Sequence, residues 1–147
     1  MTPATPQSYA NHARYVPGYH VITLLFVTAT VVWSVVQLFR LRFSGAGVFG
    51  VLVAVVLAQL YYFVREFACR NQDRIIRLEM RLRMEKLLPG DLVARFGEFT
   101  VPQLIALRFA GDTELPDLAR TVLDERITDQ REIKRRIREW QADYLRV

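Results

Sequence analysis

The chain reads as an all-α membrane protein, a two-helix transmembrane hairpin whose second helix extends into a small cytoplasmic helical domain. Three observations predict this. Two charge-free apolar runs stand close together, over residues 21–39 (VITLLFVTATVVWSVVQLF) and 43–64 (FSGAGVFGVLVAVVLAQLYYFV). All 15 acidic residues lie at or after Glu66, and the only bases before Arg65 are Arg14, Arg40 and Arg42. In the second half, apolar residues recur at intervals of three and four, with no alternating strand pattern. This split excludes an ordinary soluble globule and a disordered chain. A lone Cys69 excludes an intrachain disulfide framework.

Residues 1–20 form a polar leader. The run over 21–39 holds 19 residues. At ~1.5 Å per residue it spans roughly 28 Å, close to the hydrocarbon core of a bilayer. A cleaved signal peptide fits less well, because the apolar core is too long and Arg40 and Arg42 interrupt where a small-residue site would follow. The second span covers about 45–64. The short connector Arg40-Leu41-Arg42 with Ser44 and Gly45 makes the spans antiparallel, and both must be helical to satisfy their backbones in lipid.

Flanking bases set the orientation. Arg14, Arg65, Arg70, Arg74, Arg77, Arg81 and Arg83 outnumber Arg40 and Arg42, which places both termini in the cytoplasm. Tyr15, Tyr19, Tyr61 and Tyr62 then fall at the cytoplasmic interface as an aromatic belt. Ala46, Gly50, Ala54 and Ala58 form a small-residue stripe on the second span. Such a stripe lets two helices approach closely. Packing within the hairpin is the simpler reading, with Thr23, Thr30, Ser34 and Gln37 opposite; docking of another membrane subunit is the sharper one. Gln59 needs a polar partner, which a threonine of the first span can supply. Neither span holds an ionisable residue, which argues against a transporter.

Residues 65–88 continue as helix up to Leu88-Pro89-Gly90. Acid-before-base pairs four apart (Glu66/Arg70, Asp73/Arg77, Glu79/Arg83) support it. Its apolar residues fall on two faces, Ile75/Leu78/Leu82 and Ile76/Met80/Met84/Leu87. Each face needs a cover. One cover is the C-terminal domain, residues 89–147; the other is a partner chain or a second copy. Within that domain a brief helix covers residues 91–96. The next starts at Thr100 with Pro102 in its first turn and ends at Gly111. Another opens at Leu115-Pro116. The last starts at Asp129 and Glu132 and presents Ile133, Ile137, Trp140 and Tyr144 on one side.

The segments NHARYVPGYH, NQDRIIRLEMRLRMEKLLP, QLIALRFAGDTELPDLA and IKRRIREWQADYLRV together resemble an uncharacterised bacterial family of small two-span inner-membrane proteins. The resemblance implies a multi-pass protein of the bacterial inner (cytoplasmic) membrane with a cytoplasmic helical domain, and it implies no catalytic residue.

His12 and His20 are the only histidines; either is a conceivable ligand for a metal, haem or chlorin, yet neither has a partner at ligand spacing. Cys69 reads as a packed thiol. Arg131, Lys134, Arg135, Arg136 and Arg138 make a basic amphipathic helix, suited equally to an anionic leaflet or to plain solvation. No nucleic-acid motif, phosphate loop, zinc motif or nucleophile elbow occurs, so no catalytic residue, cofactor or metal site and no nucleic-acid partner is expected.

These features predict a non-enzymatic accessory or assembly subunit of a larger bacterial membrane complex, photosynthetic and respiratory complexes fitting equally. Its partners would be other integral membrane subunits or itself. The alternative is a homo-oligomeric membrane scaffold that binds anionic lipid through the basic C-terminal helix. A third reading, a membrane-bound redox subunit using His12 or His20, is the weakest.

Overall fold

The computed structural model describes residues 7–11 and 15–144, so His12 and Arg14 lie outside the described residues. Every extended element among them is helical: α1 Leu24–Arg40, α2 Gly45–Leu87, α3 Gly90–Ala94, α4 Val101–Leu107, α5 Leu115–Asp124 and α6 Gln130–Arg136. A π-helical stretch, Gly18–Thr23, leads into α1, and a 3-10 turn, Phe96–Glu98, follows α3. Two helical segments, Gly18–Arg40 and Gly45–Leu87, are long and apolar enough to cross a membrane. The chain divides into two units, residues 14–69 and residues 70–147 with 1–13.

In the first unit, hydroxyl side chains are satisfied within their own helix. Thr23 donates to the Gly18 carbonyl five residues back at 2.9 Å, which reinforces the π-helical spacing. Thr28 and Thr30 donate to Leu24 and Phe26, each at 2.8 Å. Gln59 is exposed, and among the described residues no hydrogen bond joins it to a threonine of α1. The turn between α1 and α2 places Arg42 (φ 48°) and Phe43 (φ 58°) in the left-handed region, and the Phe43 amide closes the turn on the Leu38 carbonyl at 2.9 Å.

Beside Thr30, Gln37 and Gly50, which are also half-buried, the inward positions of this hairpin are Val27, Val31, Ser34 and Leu38 on α1, and Gly47, Val51, Ala54 and Ala58 on α2. They recur at three and four, the mean period of 3.5 that two nearly antiparallel helices require. Gly47 is a point of close approach. A Cβ there would sit 3.1 Å from Leu38 Cα.

In the second unit, the end of α2 supplies one wall of the core. Ile76, Met80, Met84 and Leu88 are buried against Leu92, Leu104, Leu107, Leu115, Val122 and Ile133. The α4 start carries a capping box. The Thr100 amide donates to Gln103 Oε1 at 2.8 Å, and the Gln103 amide donates to Thr100 Oγ1 at 3.4 Å. Gln103 is itself buried, and its amide nitrogen reaches the Ile127 carbonyl at 2.9 Å, fastening the α5–α6 connection. Arg83 pairs with Asp112 (2.7 Å) and donates to the Arg108 and Ala110 carbonyls (3.1 and 2.6 Å), not with Glu79 as the i,i+4 spacing predicts. A buried-side guanidinium that satisfies loose carbonyls past a helix end outcompetes an exposed i,i+4 pair.

The last helix is shorter than its apolar spacing predicts. It ends at Arg136, Ile137 is extended (ψ 125°), and Trp140 makes an isolated antiparallel bridge with Ala110. Arg138 therefore lies beyond the helix on which the other four bases sit. Tertiary contacts explain the change. The Glu114 carboxylate accepts the amides of Arg138 (2.9 Å) and Glu139 (3.0 Å), and the Gln141 amide donates to the Phe109 carbonyl at 2.7 Å. Trp140 stacks on Phe109 at 4.7 Å between ring centres. Gly111 does not take the left-handed conformation of a helix terminator. It gives its amide to the Glu139 carbonyl at 2.7 Å, and a Cβ there would lie 2.9 Å from Glu139 Cβ. Gln7 and Asp143 exchange two hydrogen bonds, at 3.1 and 2.8 Å.

Replacing Gly111 with Ala is expected to destabilise the second unit by about 1–3 kcal/mol through overpacking against Glu139. Thermal unfolding of the full chain in mild detergent measures it, and an unchanged midpoint contradicts the close approach. Glu114→Ala leaves two amides without their acceptor and is expected to cost a similar ~1–3 kcal/mol, read as early deuterium exchange at residues 138–141.

Candidate interaction surfaces

The predicted small-residue stripe is only partly inside the hairpin. Ala54 is buried, Gly50 and Ala58 are half-buried, and Ala46 is exposed. A strict row of every fourth residue winds around a helix, so it meets a neighbouring helix only near its middle. Gly47, outside that row, makes the close contact. Its signal lies in the spacing of seven to Ala54.

Among the interface aromatics, Tyr19 and Tyr61 come together. Their rings stack at 4.6 Å and 16°, and the Tyr19 hydroxyl donates to the Tyr61 carbonyl. His20 stacks on Tyr15 at 4.9 Å, and its Nδ1 lies 3.0 Å from the Val16 carbonyl. Tyr15 and Tyr62 are exposed. These rings close the open end of the hairpin. No group of three His, Cys, Asp or Glu side chains placed to hold a metal occurs among the described residues.

The basic residues of α6 differ in what they do. Arg136 is held by Glu125 (2.6 Å) and Glu132 (2.7 Å), which keep its guanidinium pKa above the ordinary value, Glu125 most strongly. Lys134 lies over the Phe109 ring at 5.3 Å. Arg131, Arg135 and Arg138 are exposed, but Arg138 belongs to the extended segment. The five bases thus do not form one charged helical face.

The two faces of the distal part of α2 behave differently. Ile76, Met80 and Met84 are covered by the C-terminal helices. Ile75, Leu78 and Leu82 are 56, 60 and 53% exposed. At roughly 100° per residue they point to the opposite side of the helix from the core.

A Leu at Gly47 is expected to separate α1 from α2, because a side chain must be accommodated where Leu38 Cα now sits. An Ala there shifts the neighbour by only a few tenths of an ångström. Paired cysteines placed at Ser34 and Ala54 check this: cross-linking that persists in the Gly47→Leu variant contradicts the contact.

The chain matches no curated protein and no solved structure. A family model described as a family of unknown function covers residues 1–147, and the chain belongs to that family, DUF6526.

Proposed function

We propose that the protein is a non-enzymatic accessory or assembly subunit of a larger complex in a bacterial inner membrane. The hairpin of α1 and the first half of α2 anchors it, with both termini in the cytoplasm, and the exposed face of the distal part of α2 serves as a protein-binding surface. The observation that supports this reading is the exposed row Ile75, Leu78 and Leu82 outside the two apolar runs. Large apolar side chains aligned on one exposed helix face mark an interaction site, and their place on the charged extension beyond the apolar runs favours a protein over lipid as the partner. In contrast, the lipid-facing reading of α6 has less support, since Arg136 is neutralised by two carboxylates.

The test is purification of the native protein in mild detergent, with mass spectrometry of the intact assembly. Co-purification with other integral membrane subunits is the expected result, and conversion of Leu78 and Leu82 to Glu is expected to release whatever protein covers that face. A protein that purifies without another integral membrane subunit, alone or as a homo-oligomer, overturns the reading.

A further inference from the structure

We infer that the Ile75/Leu78/Leu82 face is covered by a second copy of this chain, paired in parallel and in register. The inference rests on the reading of this face as a protein contact and names its occupant.

The spacing comes first. Positions 75, 78 and 82 follow the three–four alternation of coiled-coil core positions. They lie opposite the helix face already committed to the chain's own core, so a second helix can approach without disturbing Ile76, Met80 or Met84.

The flanking charges then choose the occupant and its direction. With Ile75 at a core position, Arg74 and Glu79 take the two flanking positions that face each other across a parallel pair, five residues apart in sequence. Each copy's Arg74 meets the other's Glu79, giving two opposite-charge contacts related by a twofold axis. Neither residue has an intrachain ion pair among the described residues: Arg83 is taken by Asp112, which leaves Glu79 available. An antiparallel pair instead loses both Arg74–Glu79 contacts, since Arg74 then faces Arg81 of the second copy. In the parallel pair Arg81 faces Lys86, and this repulsion is softened by Glu85, which already holds Arg81 at 3.0 Å.

Area sets the condition under which the pair forms. Three side chains per copy bury far less than the ~1,200 Å² of a stable soluble interface. Two copies anchored in one bilayer with one orientation meet at high effective concentration and only in the parallel sense. The face is therefore expected to pair in membranes and to separate on dilution in detergent.

The experiment uses the full-length chain with Cys69 replaced by Ser, in membranes. Leu78→Cys is expected to form a disulfide-linked dimer under mild oxidation, and the exposed control Arg77→Cys much less. Arg74→Glu alone and Glu79→Arg alone should each lower the Leu78→Cys yield roughly three- to tenfold. The double variant Arg74→Glu/Glu79→Arg should restore it. Equal yields at positions 77 and 78, or a yield indifferent to both charge reversals, overturns the parallel in-register pair. If no dimer forms yet Leu78→Glu releases another subunit, the second copy is the wrong occupant and the protein-contact reading stands. If neither occurs, both fall.

Discussion

None of the helices after α2 exceeds ten residues, and helices of that length do not persist in water without a surface to cover. The surface is the row Ile76, Met80 and Met84 at the end of α2. Met suits the position, since an unbranched side chain adapts to several short helices arriving at different angles. Around that row the remaining polar devices are fasteners. Arg83 gathers the carbonyls beyond α4, Gln103 ties the α5–α6 connection, and Glu114 holds the extended terminal segment. Removing the row would leave these fasteners with nothing to fasten.

Much of this was legible in the sequence. The all-helical character, the two apolar runs, the Thr100 start of α4 and the Leu115-Pro116 start of α5 all follow from local rules about caps, prolines and apolar spacing. So did the separation of two apolar faces on the distal part of α2. Local rules failed where a distant residue competes for backbone groups. Ile133, Ile137, Trp140 and Tyr144 keep helical spacing, yet Glu114, 24 residues earlier, takes the amide of Arg138 and draws the chain out straight. Gly111 likewise reads as a helix terminator until the strand-like segment beside it is known.

The hairpin shows the same limit in a milder form. Ala46, Gly50, Ala54 and Ala58 are the conspicuous small residues, but conspicuousness in a one-dimensional pattern is tied to a fixed interval of four. Two packed helices sample a mean interval of 3.5. The two periods coincide near Ala54 and part by Ala46, where the chain uses Gly47 in its place. Hydroxyls within α1 add a further lesson. Thr28 and Thr30 give their hydroxyl protons to carbonyls of their own helix, so they read as polar in composition without leaving a donor that needs a partner on α2.

The paired hydrogen bonds between Gln7 and Asp143 carry a topological consequence. Two points of one chain that touch are on the same side of any sheet of lipid between them. If the two apolar helices cross a bilayer, a contact between residues 7 and 143 requires an even number of crossings between them. The closure is built from one amide side chain and one stretch of backbone.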